Sequence, residues 1–293
     1  MKMGELYYNS TAWPVKPDFA AMRTFGPTPR YERVKTYQPP SMPLPLIIAG
    51  PCQIESEEQV RAIADSLIAN GIKFMRGGVF SAGTYPGDSF GLRGTEMDMW
   101  YSIAQEKGLK IVVEVCDPRQ VETIEAYADI VQIGARAMQN YALLSEVAQL
   151  DKWVTLKRAP GATLDELLGA CEYLLKGKAK PILVERGGAS HLNHCRWELS
   201  VSLVAAVKAM CNVPILVDAS HASGRRDLVE RLTLAGIAVG ADGCIVECHQ
   251  DPANARGADA VQTIDFPAMA RLADKVNKIH REINHEHSNE KLG

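Results

Sequence analysis

Four cations stand near the ends of short apolar runs: Arg76 in KFMRGGVF, Arg136 in IVQIGAR, Lys157 in WVTLKR and Arg186 in PILVERGG. If those runs converge, four positive charges without an equal number of neighbouring acids suit an anion of more than one charge, such as a phosphate joined to a carboxylate. Arginine offers a planar fork to such groups and lysine a point charge, so the mixture fits a small phosphorylated acid. The competing reading is that each arginine forms an ion pair with an acid at a run's end, for instance Glu114 or Glu185. A second set consists of Cys52, His221 and Glu247. A thiolate, an imidazole and a carboxylate sharing one centre would accept Mn, Fe, Co or Zn, with Asp259 available as a fourth ligand. Taken singly, a cysteine or histidine is more often a structural residue.

The segment HASGRRD (221–227) combines small residues and two arginines at a strand-to-helix turn, where backbone N–H groups favour an anion. Arg225 or Arg226 can meet a second phosphate there; equally, Asp227 can cap the helix and both arginines can be structural. Candidates for moving protons are Glu114, Asp218 and His249, with His249 preferred because imidazole titrates near neutral pH. A structural histidine bonded to a backbone carbonyl is the alternative.

What must position these residues is an alternation of β-rich and helical stretches. The apolar β-branched runs are residues 44–52, 73–80, 110–117, 130–136, 153–158, 181–188, 213–221 and 242–249, and a segment of helical period follows each. Eight strand–helix repeats predict an α/β fold, the (β/α)8 TIM barrel, whose site lies at the C-terminal ends of its strands. In a closed barrel, strands one, seven and eight are neighbours, so Cys52, His221 and Glu247 can share a metal. Seven prolines between Pro14 and Pro43 predict that residues 1–43 form an extended arm packed on the barrel or on a neighbour. The barrel is expected over 44–284 and a frayed polar tail over 285–293. Ser56 with Gln59, and Thr163 with Glu166, read as helix starts.

Bulk properties narrow the class. With 46% hydrophobic residues, 23% charged residues and a formal net charge of −3, the 293-residue chain can bury a large core and has no basic field for nucleic acid. The start lacks a secretory h-region and no stretch approaches a membrane span, so a cytoplasmic, non-membrane protein is expected. Seven scattered cysteines without CxxC pairs fit a reducing compartment.

The stretches IAGPCQIES, MRGGVF, EVCDPRQVE, ADIVQIGARAMQNY, LKRAPGAT, ILVERGG, VDASHASGRRDLV, GADGCIVECH and DAVQTIDF, over residues 46 to about 270, resemble the type I 3-deoxy-D-arabino-heptulosonate 7-phosphate (DAHP) synthases and the related 3-deoxy-D-manno-octulosonate 8-phosphate (KDO8P) synthases. The resemblance implies a transferase that joins phosphoenolpyruvate to an aldehyde, releasing inorganic phosphate and a 3-deoxy-2-keto acid, as in aromatic amino acid biosynthesis through the shikimate pathway. It implies a divalent metal on Cys52, His221, Glu247 and Asp259, phosphoenolpyruvate on Arg76, Arg136, Lys157 and Arg186, and a homodimer or homotetramer. One departure stands out: where the DAHP synthases carry Lys-Pro-Arg-Thr after strand two, this chain has Ser81, Ala82, Gly83 and Thr84. Two charge-assisted contacts to the acceptor are thereby lost, each ordinarily worth about 1.5–3 kcal/mol. Only Thr84 remains of that acceptor-binding segment; Asp88, Arg93 or Lys16 can restore part of it, or the acceptor is a different aldehyde. The other reading is a noncatalytic homologue that binds a phosphorylated metabolite.

Overall fold

Strand pairing in the computed structural model, which describes residues 31–80, 94–191, 193–255 and 259–290 (backbone only at 284–290), runs in chain order around a closed circle. The eight parallel strands are β1 (Leu46–Gly50), β2 (Phe74–Gly77), β3 (Lys110–Val115), β4 (Ile130–Ile133), β5 (Trp153–Lys157), β6 (Lys180–Glu185), β7 (Ile215–Val217) and β8 (Gly243–Glu247). Closure is made by β1 on β8, with Leu46 beside Gly243 and Gly50 beside Glu247. The approach is tight: a Cβ at Gly243 would stand 1.9 Å from the Leu46 carbonyl oxygen, and one at Gly50 would stand 2.1 Å from that of Arg76.

Ten helices are present among the described residues: α1 (Glu32–Thr36), α2 (Glu57–Ala69), α3 (Gly94–Glu106), α4 (Val121–Tyr127), α5 (Tyr141–Val147), α6 (Leu164–Leu174), α7 (Val201–Met210), α8 (Ala219–Ser223), α9 (Arg226–Ala238) and α10 (Phe266–Glu290). Both expected starts are capped: Ser56 accepts from the Gln59 amide, and Thr163 with Glu166 forms a full capping box.

The core has two layers because strand side chains alternate. Leu46, Ile48, Val112, Ile130, Ile182, Val184, Leu216 and Ile245 pack together inside the barrel, while a larger cluster lies between strands and helices. Continuing the inner series by two residues gives Arg76 after Phe74, Glu114 after Val112, Lys157 after Trp153 and Thr155, Arg186 after Val184, Asp218 after Leu216, and Glu247 after Ile245. Period two therefore turns each of these polar side chains toward the barrel mouth, above an apolar floor.

Several boundaries differ from those expected. The arm is not wholly extended: the proline-free stretch 30–38 contains α1, which buries Val34 and donates the Val34 amide to Glu172 on α6 at 2.9 Å. Further on, Met42 packs against the inner cluster, so the arm reaches the barrel floor. The tail expected to fray continues α10 through Glu290. Strand seven stops at Val217, because the Asp218 side chain accepts the His221 amide and starts α8; His221 thus stands on a helical turn, not on a strand. Arg136 likewise lies on a 3-10 turn, Ala135–Ala137, beyond β4. Helix α7 begins at Val201; before it, Arg196 and Trp197 donate their amides to the Ser223 and Ala222 carbonyls at 2.9 and 2.8 Å.

Candidate functional site

Glu247 is the centre of the mouth. Fully buried at the end of β8, its carboxylate is held on one oxygen by the Arg76 guanidinium at 2.8 Å and on the other by the Gln262 amide at 2.7 Å. The first of these oxygens also lies 3.4 Å from His221 Nε2, which is 3.8 Å from Asp259 Oδ2. Cys52, just after β1, places Sγ 3.2 Å from the same Asp259 oxygen. Cys52, Glu247 and Asp259 present ligand atoms that all lie within 4.8 Å of one another, with the His221 ring alongside. Burial, then the Glu247 and Asp259 carboxylates, push the Cys52 thiol well above its usual range. Burial works against the charge of Asp259, but His221, the Cys52 thiol, Arg196 and Arg76 together hold it below the usual carboxylate range. Two carboxylates, an imidazole and a thiol that a bound metal would deprotonate, drawn together beside Arg76 and the partly exposed Arg196, form a chemically suitable set for a divalent cation.

Asp218 joins this group to the neighbouring cations. Its carboxylate accepts from Lys157 Nζ at 2.8 Å and lies 2.8 Å from His221 Nδ1. Burial opposes its ionisation, yet His221 and Lys157 keep it well below the ordinary carboxylate range. Arg186, 6% exposed, faces the Trp197 ring at 6.0 Å, and its NH1 has no hydrogen-bond partner among the described residues. Arg76 Nε is in the same position. Burial lowers the Arg186 pKa from its ordinary value. A buried guanidinium with a spare donor calls for an anion, since an unmet donor is costly.

One cation pair is committed elsewhere. Arg158 points outward from β5 and forks onto fully buried Glu185, which also accepts the Gly187 and Ser200 amides at 3.0 and 3.1 Å. Glu185 therefore serves Arg158, and among the described residues Arg186 makes no ion pair with an acid.

The remaining candidates divide. Arg136 is exposed on its turn; beside it, a Cβ on Gly134 would fall 1.9 Å from the Glu114 carboxylate, so that acid lies across the glycine. Arg225 is ion-paired with Asp227 at 2.7 Å and donates to the His194 carbonyl at 3.1 Å, while Arg226 donates to the Thr263 and Ala260 carbonyls. Both arginines thus have the structural engagements given above as the alternative to a phosphate site. Asp227 lies in the first turn of α9 and is not its N-cap. The open depression of about 490 Å³ beside them is lined by Gly224, Arg225, Arg226, Asp227 and Val261. His249 has its Nδ1 2.8 Å from the Asp251 carbonyl and its Nε2 3.8 Å from Glu55. Thr84, Asp88, Arg93 and Lys16, with Ser81–Gly83, lie outside the described residues. Sequence reasoning did not single out Arg196, whose guanidinium lies 3.3 Å from Asp259, or Trp197; no periodicity marks a loop residue of this kind.

An eight-stranded barrel whose mouth combines a metal-type donor cluster with buried, unsatisfied arginines defines a barrel enzyme acting on an anionic substrate. The profile of the DAHP synthetase I family matches residues 43–285, and the chain belongs to that family of enzymes. It is 39% identical over 234 residues to the phospho-2-dehydro-3-deoxyheptonate aldolase of Thermotoga maritima, covering 80% of this chain and 69% of that protein. The crystal structure of that DAHP synthase superposes with a TM-score of 0.76 at 38% identity, over 81% of this chain and 69% of the other. The 2-dehydro-3-deoxyphosphooctonate aldolase of Rhizobium meliloti is more distant, 27% identical over 250 residues, 78% of this chain and 88% of that one. Among the described residues no helix is long and apolar enough to cross a membrane.

Proposed function

We propose that this enzyme joins phosphoenolpyruvate to an aldose phosphate or related aldehyde, giving a 3-deoxy-2-keto acid and inorganic phosphate. The observation that carries the reading is the convergence of Cys52, Glu247 and Asp259, with His221, against the buried cations Arg76, Lys157 and Arg186. Cys52, His221, Glu247 and Asp259 would hold a divalent Mn, Fe, Co or Zn ion, which when bound supplies Lewis-acid polarisation of the acceptor carbonyl. Arg186, with its free donor, and Lys157 bind the donor's phosphate, and Arg136 at the rim completes that cluster. Arg76 lies nearest the metal group and takes the carboxylate. Held this way, the enol carbon of phosphoenolpyruvate attacks the aldehyde carbon; water adds at the donor's second carbon, and the hemiketal phosphate collapses to the keto acid and phosphate. The cations stabilise the phosphate as it leaves. His249, Glu114 and Asp218 are the groups within this architecture available to move protons.

The acceptor is the open half of the assignment. With Ser81–Thr84 in place of Lys-Pro-Arg-Thr, an acceptor other than that of the DAHP synthases, including a KDO8P-type or specialised one, fits the same donor site. The reading includes a reducing, cytoplasmic setting, supported by seven unpaired cysteines, and a homodimer or homotetramer, which light scattering measures. Phosphate release is assayed with phosphoenolpyruvate, each divalent metal and a panel of phosphorylated and unphosphorylated aldoses. Metal-dependent release with at least one aldehyde is expected. Tight phosphoenolpyruvate binding with no release for any aldehyde would make the chain a noncatalytic binder instead.

A further inference from the structure

Asp218 is the residue at which the two halves of the mouth meet. Its side chain is fully buried; Oδ2 lies 2.8 Å from Lys157 Nζ and 2.8 Å from His221 Nδ1, while Oδ1 accepts the His221 amide at 3.0 Å. We propose that Asp218 is a positioning residue that fixes the His221 ring so that Nε2 is the nitrogen offered to a metal, and simultaneously anchors the Lys157 ammonium for the donor's phosphate. The inference rests on the function proposed above.

Donor and acceptor capacity sets the tautomer of His221. An ionised carboxylate only accepts, so the nitrogen facing it, Nδ1, carries the proton and the lone pair is left on Nε2. That lone pair faces Glu247 and Asp259, at 3.4 and 3.8 Å. Orientation of a ligating imidazole by a carboxylate on its other nitrogen is a general means of raising metal affinity. Asp218 also caps α8, and a cap alone would explain Oδ1. It does not explain Oδ2, which accepts from Lys157 and stands 2.8 Å from Nδ1, nearer than the capping oxygen Oδ1 at 3.0 Å.

Asn separates the two roles. Asp218→Asn keeps a good N-cap oxygen for the His221 amide, but sets an NH2 group, which cannot accept, against Lys157 and the nearer side of Nδ1–H, leaving the ring only the oxygen that already caps the helix. Cobalt(II) is titrated into metal-free wild type and variant by calorimetry, with the visible absorption of the bound cobalt recorded, and KM for phosphoenolpyruvate is measured on the loaded enzymes. The expected result for the variant is cobalt affinity weakened roughly 10–100-fold, an altered cobalt spectrum, a raised KM for phosphoenolpyruvate and a retained folded circular-dichroism spectrum. Wild-type cobalt affinity and spectrum in the variant would overturn the proposal and leave Asp218 as a cap. If Asp218→Asn does not fold, Asp218→Ser, also a good cap, carries the same readouts; insolubility of both makes Asp218 structural and overturns it too. Failure of wild type itself to bind cobalt would instead sink the functional reading.

Discussion

Arg158→Met tests how the mouth is kept cationic. Arg158 and Glu185 are 5% and 0% exposed, and the fork between them supplies two of the four bonds on that carboxylate. Removing one partner of a buried pair ordinarily costs about 3–5 kcal/mol, because the other charge stays buried. Here the Gly187 and Ser200 amides remain on Glu185, which puts the expected loss near the lower end, about 3 kcal/mol. For a chain of this size, at about 2–4 °C per kcal/mol, that corresponds to a fall in Tm of about 6–12 °C. Adding Glu185→Gln removes the stranded charge while keeping the one oxygen that accepts both amides, so the double variant should melt above the single one. Thermal unfolding followed by circular dichroism at two scan rates checks both. A fall under about 2 °C, or a double variant no more stable than the single, refutes the claim that Glu185 is a buried charge held by Arg158.

Three further outcomes are expected. Gly50→Ala, whose methyl would meet the Arg76 carbonyl oxygen at 2.1 Å, should sharply reduce soluble yield; normal yield and Tm would show that β1 and β2 can separate. In thiol labelling of the metal-free protein near pH 8, partly exposed Cys116 and Cys195 should react first. Cys244 and Cys248, pushed up to about 12 by burial, should stay silent, and slow Cys52 should be protected further by added metal; rapid Cys52 labelling with metal present argues against its being a ligand. Finally, Asp218 has a folded pKa depressed below the unfolded carboxylate value, so its contribution to stability is fully present above about pH 4 and lost as pH falls through the folded value. Urea unfolding of metal-free wild type and Asp218→Asn should therefore show a stability gap that narrows below about pH 4; a gap constant down to pH 2 would contradict the depressed pKa.

Much of this site is readable from strand periodicity. Arg76, Arg186, Asp218 and Glu247 each stand two residues beyond an inward apolar residue, and Lys157 stands four beyond Trp153, so counting by twos places them at the mouth once a barrel is inferred. Arg158 and Glu185, although equally charged and at the same strand ends, have the opposite parity and pair with each other. Local hydrogen bonding is what the pattern missed. The β-branched run through Val217 continues smoothly into DASH, but Asp218 capping the His221 amide outweighs strand propensity and ends β7 early. The strap at Arg196 and Trp197 carries no periodic signal, because its place is set by backbone bonds to residues 222–223. The arm's prolines speak for extended chain, and α1 occupies a stretch between Pro29 and Pro39 long enough for a turn.

Beyond the end of β2, the chain does not leave the barrel at once. Gly78 donates its amide to the Cys52 carbonyl at 3.0 Å and accepts the Ile54 amide at 3.0 Å, and Gly77 has no room for a Cβ against Ile54 Cδ1, 2.5 Å away. This clasp fastens Arg76 and Cys52 to one another before residue 81 is reached. A segment that starts after such a clasp can be rewritten, lengthened or exchanged between relatives without tugging on either residue. The fold thus provides a splice point: Arg76 and Cys52 are fixed to one another on one side of it, and the sequence on the other side can change without moving them.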